Sequence, residues 1–73
     1  MPIDVRAHIT GTVFKVEVTE GQEVTENQTV VTLESMKMEM PVPAPADGKV
    51  ASIAVTEGQA VEEDDLLVRL DSR

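Results

Sequence analysis

The chain has 73 residues, a formal net charge of −8 and no cysteine. Disulfide and thiolate chemistry are therefore excluded, and no Lys/Arg cluster exists to hold a nucleic-acid backbone or an anionic membrane surface. The length predicts one domain over residues 1–73. Val, Ile, Leu and Ala supply most of the 41% hydrophobic content and Phe14 is the lone aromatic, a composition that suits a compact β-domain of modest stability. The acidic balance predicts a soluble monomer steered toward basic docking surfaces. Met1-Pro2-Ile3-Asp4 has neither the basic nor the apolar region of a signal peptide, and no apolar run approaches a membrane span. A cytoplasmic location is the default expectation.

In chain order, Val5 and Ala7 open a unit that recurs 37 residues later as Val42 and Ala44. The overlay continues without a gap. Of the 30 positions in 5–34, 13 are identical in 42–71: Val5, Ala7, Gly11, Val13, Val18, Thr19, Glu20, Gly21, Gln22, Val24, Glu26, Val31 and Leu33. Two such halves predict a quasi-twofold domain in which each half completes the other's core. Val13, Val16 and Val18, like Val50, Ile53 and Val55, depart from strict alternation by a spacing of three. A β-bulge or sharp twist there restores one inward face. Glu20-Gly21-Gln22 and Glu57-Gly58-Gln59 read as turns in which glycine supplies a positive φ.

Val30-Val31-Thr32-Leu33 and Leu66-Leu67-Val68-Arg69-Leu70 are rich in β-formers and read as strands. Between the halves, roughly Glu34 to Pro41, lies a linker expected to be a turn, with Lys37 near its centre and projecting from one end of the domain. The first and last strands then bring both termini toward the other end. Pro41, Pro43 and Pro45 restrict 41–45 to an edge strand or an extended connector, because proline donates no ladder hydrogen bond. Glu62-Glu63-Asp64-Asp65 reads as a solvated turn before the last strand, with no function assigned. No helix is expected, since β-branched residues, Gly and Pro interrupt every window. The fold predicted from the residues is a small all-β sandwich or flattened barrel.

Lys37 has a methionine on each side, in Glu34-Ser35-Met36-Lys37-Met38-Glu39-Met40. Lysines in turns are common and mostly idle. Met36, Met38 and Met40 at period two also describe the inward face of a strand, an arrangement that itself turns Lys37 outward. Against this stands the clustering of three of the four methionines within five residues. Methionine is flexible and polarizable, and beside an exposed lysine it suits an adaptable recognition patch.

Glu34-Ser35-Met36-Lys37-Met38 is similar to the Glu-Ala-Met-Lys-Met signature of biotin carboxyl carrier domains, which belong to the biotinyl/lipoyl attachment family. The resemblance covers nearly the whole chain, including the Gly-x-Val starts, the Val-x-x-Gly-Gln turns and Ala44-Pro45-x-x-Gly48. It implies a flattened barrel, or barrel-sandwich hybrid, of two four-stranded antiparallel sheets with the modified lysine at a hairpin tip. It further implies that a biotin ligase attaches biotin covalently to Lys37, with Glu34, Ser35, Met36 and Met38 as the residues the ligase grips. The implied partners are the biotin carboxylase and carboxyltransferase components, between whose sites the arm carries a carboxyl group. The chain would be a carrier and ligase substrate and not an enzyme.

Three departures mark this sequence. Ser35 replaces the usual alanine, Ala7-His8 stands where Ala-Pro is frequent, and Val18 runs into the Glu20-Gly21 turn without the thumb insertion of some carboxylase carriers. With no Pro/Ala-rich linker ahead of it, the sequence resembles the minimal, stand-alone biotin/lipoyl attachment proteins. Lipoate, attached by a lipoyl ligase, is the alternative cargo. Lipoyl domains more often have an acidic residue before the lysine and alanine after it, so the paired methionines favour biotin. A third reading is an interaction module with Lys37 unmodified. His8 is the one histidine and is expected to be structural or idle, with no metal cluster or catalytic triad around it.

Overall fold

The computed structural model describes residues 2–72. Among them, eight strands follow one another: β1 Pro2–Arg6, β2 Gly11–Val16, β3 Glu23–Val24, β4 Thr29–Ser35, β5 Met38–Pro43, β6 Gly48–Ile53, β7 Ala60–Val61 and β8 Leu66–Ser72. They pair antiparallel in two four-stranded sheets, ordered β1-β8-β6-β3 and β5-β4-β2-β7. No described residue is helical, and so no helix is long and apolar enough to cross a membrane. The sandwich predicted from the valine-rich repeats is the observed fold.

A shift of 37 residues converts β1, β2, β3 and β4 into β5, β6, β7 and β8, and thereby converts one sheet order into the other. Each sheet takes two strands from each half, so neither half owns a core. The fully buried side chains reflect this: Leu33, Val13, Val24, Val30 and Val31 come from one half, Leu67, Leu70, Val50 and Val68 from the other. Burying each leucine is worth about 1.5–3 kcal/mol relative to leaving it in water.

The irregular valine spacing resolves as anticipated. Pairing slips between Val13 and Lys15 on β2, and between Val50 and Ser52 on β6. Phe14 and Ala51 are the extra, exposed residues, and Val13, Val18, Val50 and Val55 all stay buried. A bulge restores the inward face because two residues on one strand then oppose one on its partner.

The repeated Thr-Glu-Gly-Gln segments clamp one half to the other. In the first, Thr19 N–H donates to Gln22 Oε1 at 3.1 Å. Gly21 N–H donates to the Val50 carbonyl and Val50 N–H to the Gln22 carbonyl, both at 2.8 Å. The second copy repeats all three bonds, with Thr56, Gln59, Gly58 and Val13 in the corresponding places. Gly21 and Gly58 have φ of 88° and 89°, the left-handed region expected of these turns. The acidic run 62–65 is the matching second turn. Glu62 N–H donates to Asp65 Oδ2 at 2.8 Å, and Asp64 takes the positive φ, 75°, that Asn27 takes in the first half.

Two elements went unread in the sequence. The strands β3 and β7 have only two residues each, too few for any alternation to register. The proline-limited segment is placed as expected: β5 is the edge of its sheet and ends at Pro43.

Candidate functional site

The site is built by the pairing of β4 with β5. Leu33 faces Met40, Glu34 faces Glu39, and Ser35 faces Met38. Only Met36 and Lys37 remain as loop, with φ of 52° and 64°. Two central residues with positive φ make a type I′ turn, whose twist matches that of the flanking strands. The broad turn from Glu34 to Pro41 expected from the sequence is thus corrected. Strand pairing persists through Ser35 and resumes at Met38, because alternation continues on both sides: Leu33 and Met40 lean inward, Glu34 and Glu39 outward. The usual cue for such a turn, Asn-Gly, is absent here.

The tight turn decides where the methionines go. Met36 is 92% exposed and Met38 60% exposed, so neither lines the core. Met40, opposite the fully buried Leu33, is half-buried, and it alone of the three fits the inward-face alternative. Lys37 and Glu34 are exposed and Ser35 is half-buried. Among the described residues, no ion pair or hydrogen bond engages the Lys37 side chain. The result is a free primary amine between two apolar, exposed thioethers.

Register adds two residues that the linear reading passed over. Glu39 sits directly across from Glu34, and like charges so placed repel. Pairing the strands outward from Met36-Lys37 is the signal that would have found it. Gly11 lies under the same strand: a Cβ there would fall 2.5 Å from the Glu34 carbonyl oxygen.

His8 is exposed and belongs to another region. With Asp4, Val5, Arg6, Val42, Pro43 and Pro45 it lines a shallow groove of about 240 Å³ beside the edge strands β1 and β5. Next to it, Arg69 Nε donates to Asp4 Oδ1 at 3.0 Å and Arg6 pairs with Asp4 Oδ2 at 2.9 Å. Arg69 foremost, and then Arg6, holds the Asp4 carboxyl below its ordinary value. Among the described residues no group of His, Asp and Glu is arranged to hold a metal ion.

A family profile described as "Biotin-requiring enzyme" matches residues 3–70. Over 42 residues the chain is 55% identical to the biotinylated protein TB7.3 homolog of Mycolicibacterium smegmatis, an alignment covering 58% of this chain and 59% of that protein. A single-chain, multi-domain long-chain acyl-CoA carboxylase superposes with a TM-score of 0.93 at 32% identity, covering 99% of this chain and 7% of the carboxylase. The urea carboxylase of Kluyveromyces lactis gives 0.92 at 31% identity, covering 97% of this chain and 6% of the enzyme. The chain thus spans less than two thirds of the relative and a small fraction of the two carboxylases. With the profile matched over nearly all described residues and the predicted sheets in place, the chain belongs to the biotin/lipoyl attachment family.

Proposed function

We propose that this chain is a cofactor carrier: a biotin ligase acylates Lys37 with biotin, and the loaded arm moves a carboxyl group between carboxylase active sites. The observation that carries the reading is the Met36-Lys37 turn. It leaves one unengaged amine at a hairpin tip between two exposed methionines, in a chain that matches a profile described as biotin-requiring. These residues fit a covalently held acyl group. A primary amine is the needed nucleophile, and no neighbouring side chain competes for it.

The chain's part is presentation. The lysine amine reacts as a nucleophile, and the ligase accepts the proton it gives up. Nζ then attacks the acyl carbon of biotinyl-adenylate held by the ligase, an amide bond forms, and AMP leaves. Glu34 and Ser35 on β4 with Met36 and Met38 at the turn form the surface the ligase grips. Once attached, biotin supplies the carboxyl-carrying chemistry. Tethering raises the local concentration of the arm at each partner site to about the millimolar range for a short flexible link. The carrier acts as one domain over residues 1–73, catalyses nothing itself, and serves a biotin carboxylase and a carboxyltransferase. Two structures that superpose on the chain at about a third identity are carboxylases, which supports those partners.

Lipoate is the rival cargo on the same lysine. Parallel incubations with biotin ligase plus biotin and with lipoyl ligase plus lipoate, each with ATP, separate the two by intact mass. The proposal expects one biotin per chain on wild type and none on Lys37→Arg. A gain of lipoate alone transfers the reading to a lipoyl carrier, and a folded wild type that gains neither overturns the carrier reading.

A further inference from the structure

We propose that Met36 and Met38 form a reversible oxidation site that gates the loading of Lys37. The proposal rests on Lys37 being the acylated amine. The chain has no cysteine, so its thioethers are its only sulfur atoms. Accessibility separates them: Met36 is 92% exposed and Met38 60% exposed, whereas Met40 is half-buried beside Leu33. The type I′ turn holds the first of these away from the core by its positive φ. Among the described residues, both exposed thioethers therefore flank the one amine that the function needs.

The oxidant is a peroxide. A sulfur lone pair attacks one peroxide oxygen, the S–O bond forms and the O–O bond breaks. With hydrogen peroxide, the second oxygen leaves as water. The thioether loses two electrons and the peroxide gains them. A methionine sulfoxide reductase reverses the step with a dithiol, which becomes a disulfide as the sulfoxide oxygen leaves as water.

Sulfoxide replaces an apolar, adaptable side chain with a polar, chiral one. The core is untouched, because neither Met36 nor Met38 is buried in it. The recognition surface changes instead: a partner that packs apolar groups on these methionines must desolvate a sulfoxide oxygen without pairing it. That penalty corresponds to about a tenfold loss of loading rate or more. Peroxide would slow new loading while leaving the fold intact.

The test treats folded, unloaded wild type with limiting hydrogen peroxide and maps oxygen uptake by peptide mass. Loading by biotin ligase with ATP and biotin is then timed before and after sulfoxide reductases act. The expected result is oxygen on Met36 and Met38 ahead of Met40, loading slowed about tenfold, an unchanged thermal midpoint, and recovery after reduction. The Met36→Leu/Met38→Leu variant is compared only with itself, and its treated and untreated rates should be equal. Equal loading of oxidised and reduced wild type overturns the gate, as does an undiminished peroxide effect in the double variant. Oxidation of Met40 at the same rate overturns the site. Failure of untreated wild type to load overturns the reading of Lys37 and the gate with it, while the mass map still decides whether the two methionines are the oxidised pair.

Discussion

Met36 and Lys37 occupy a backbone region that L side chains avoid, and they do so consecutively. For residues other than Gly, Asn and Asp this conformation costs roughly 1–2 kcal/mol each. Six register pairs between β4 and β5, from Thr29↔Pro43 to Ser35↔Met38, hold the turn in place against that cost. Strain of this kind is concentrated where function requires a side chain to stand clear of the fold. Glycine at position 37 would relieve it. Lys37→Gly is accordingly expected to stabilise the domain by about 1 kcal/mol, read as a higher urea midpoint, while removing the amine. An unchanged or lower midpoint would show that the turn is not strained at this residue.

Elements, not single side chains, set the geometry beneath the hairpin. β2 pairs with β4 in the same sheet, and Gly11 has no room there for a methyl group, with the Glu34 carbonyl oxygen 2.5 Å from where its Cβ would be. A Cβ on Gly48 of β6 would likewise fall 2.6 Å from the Asp71 carbonyl oxygen in the equivalent place. Backbone cannot rotate aside as a side chain can, so Gly11→Ala and Gly48→Ala should each destabilise by about 1–3 kcal/mol. Their functional effects should differ. Only Gly11 lies under Glu34, so only Gly11→Ala should also slow ligase loading of the folded protein, measured against the equally destabilised Gly48→Ala. Equal loading rates for the two would detach β2 from the site.

The same elements show what could be read from sequence. The 37-residue repeat, the bulges after Val13 and Val50, and the Gly21 and Gly58 turns all follow from local chemistry that each half states twice. The resemblance placed the lysine at a hairpin tip, but the two-residue turn itself was not legible from the residues, because Met36-Lys37 lacks the glycine or asparagine by which a type I′ turn is recognised. Pairing through Ser35↔Met38 fixes that turn, and pairing is a property of two strands together. The strands β3 and β7 were hidden for a related reason. Each is defined by its partners, β6 and β2, across the interface between halves.

At the scale of the molecule, the pseudo-twofold relation explains the placing of the lysine. The pair Glu34↔Glu39 beside the hairpin corresponds, 37 residues on and back, to Asp71↔Pro2 beside the termini. Lys37 thus stands at the seam where the first half ends and the second begins. Neither sheet can form from one half alone, so the seam is held by the whole core and can carry an unfavourable turn. In the proposed function, such a seam contributes the position of the carried group. Its other lysines, Lys15 on β2 and Lys49 on β6, are also exposed, but both lie within strands rather than at the seam. The most direct test is therefore peptide-level mass mapping of folded wild type after limited incubation with biotin ligase, ATP and biotin. The account predicts that all of the added acyl group is on Lys37. Biotin on Lys15 or Lys49 to a comparable extent, or on no lysine at all, would contradict it.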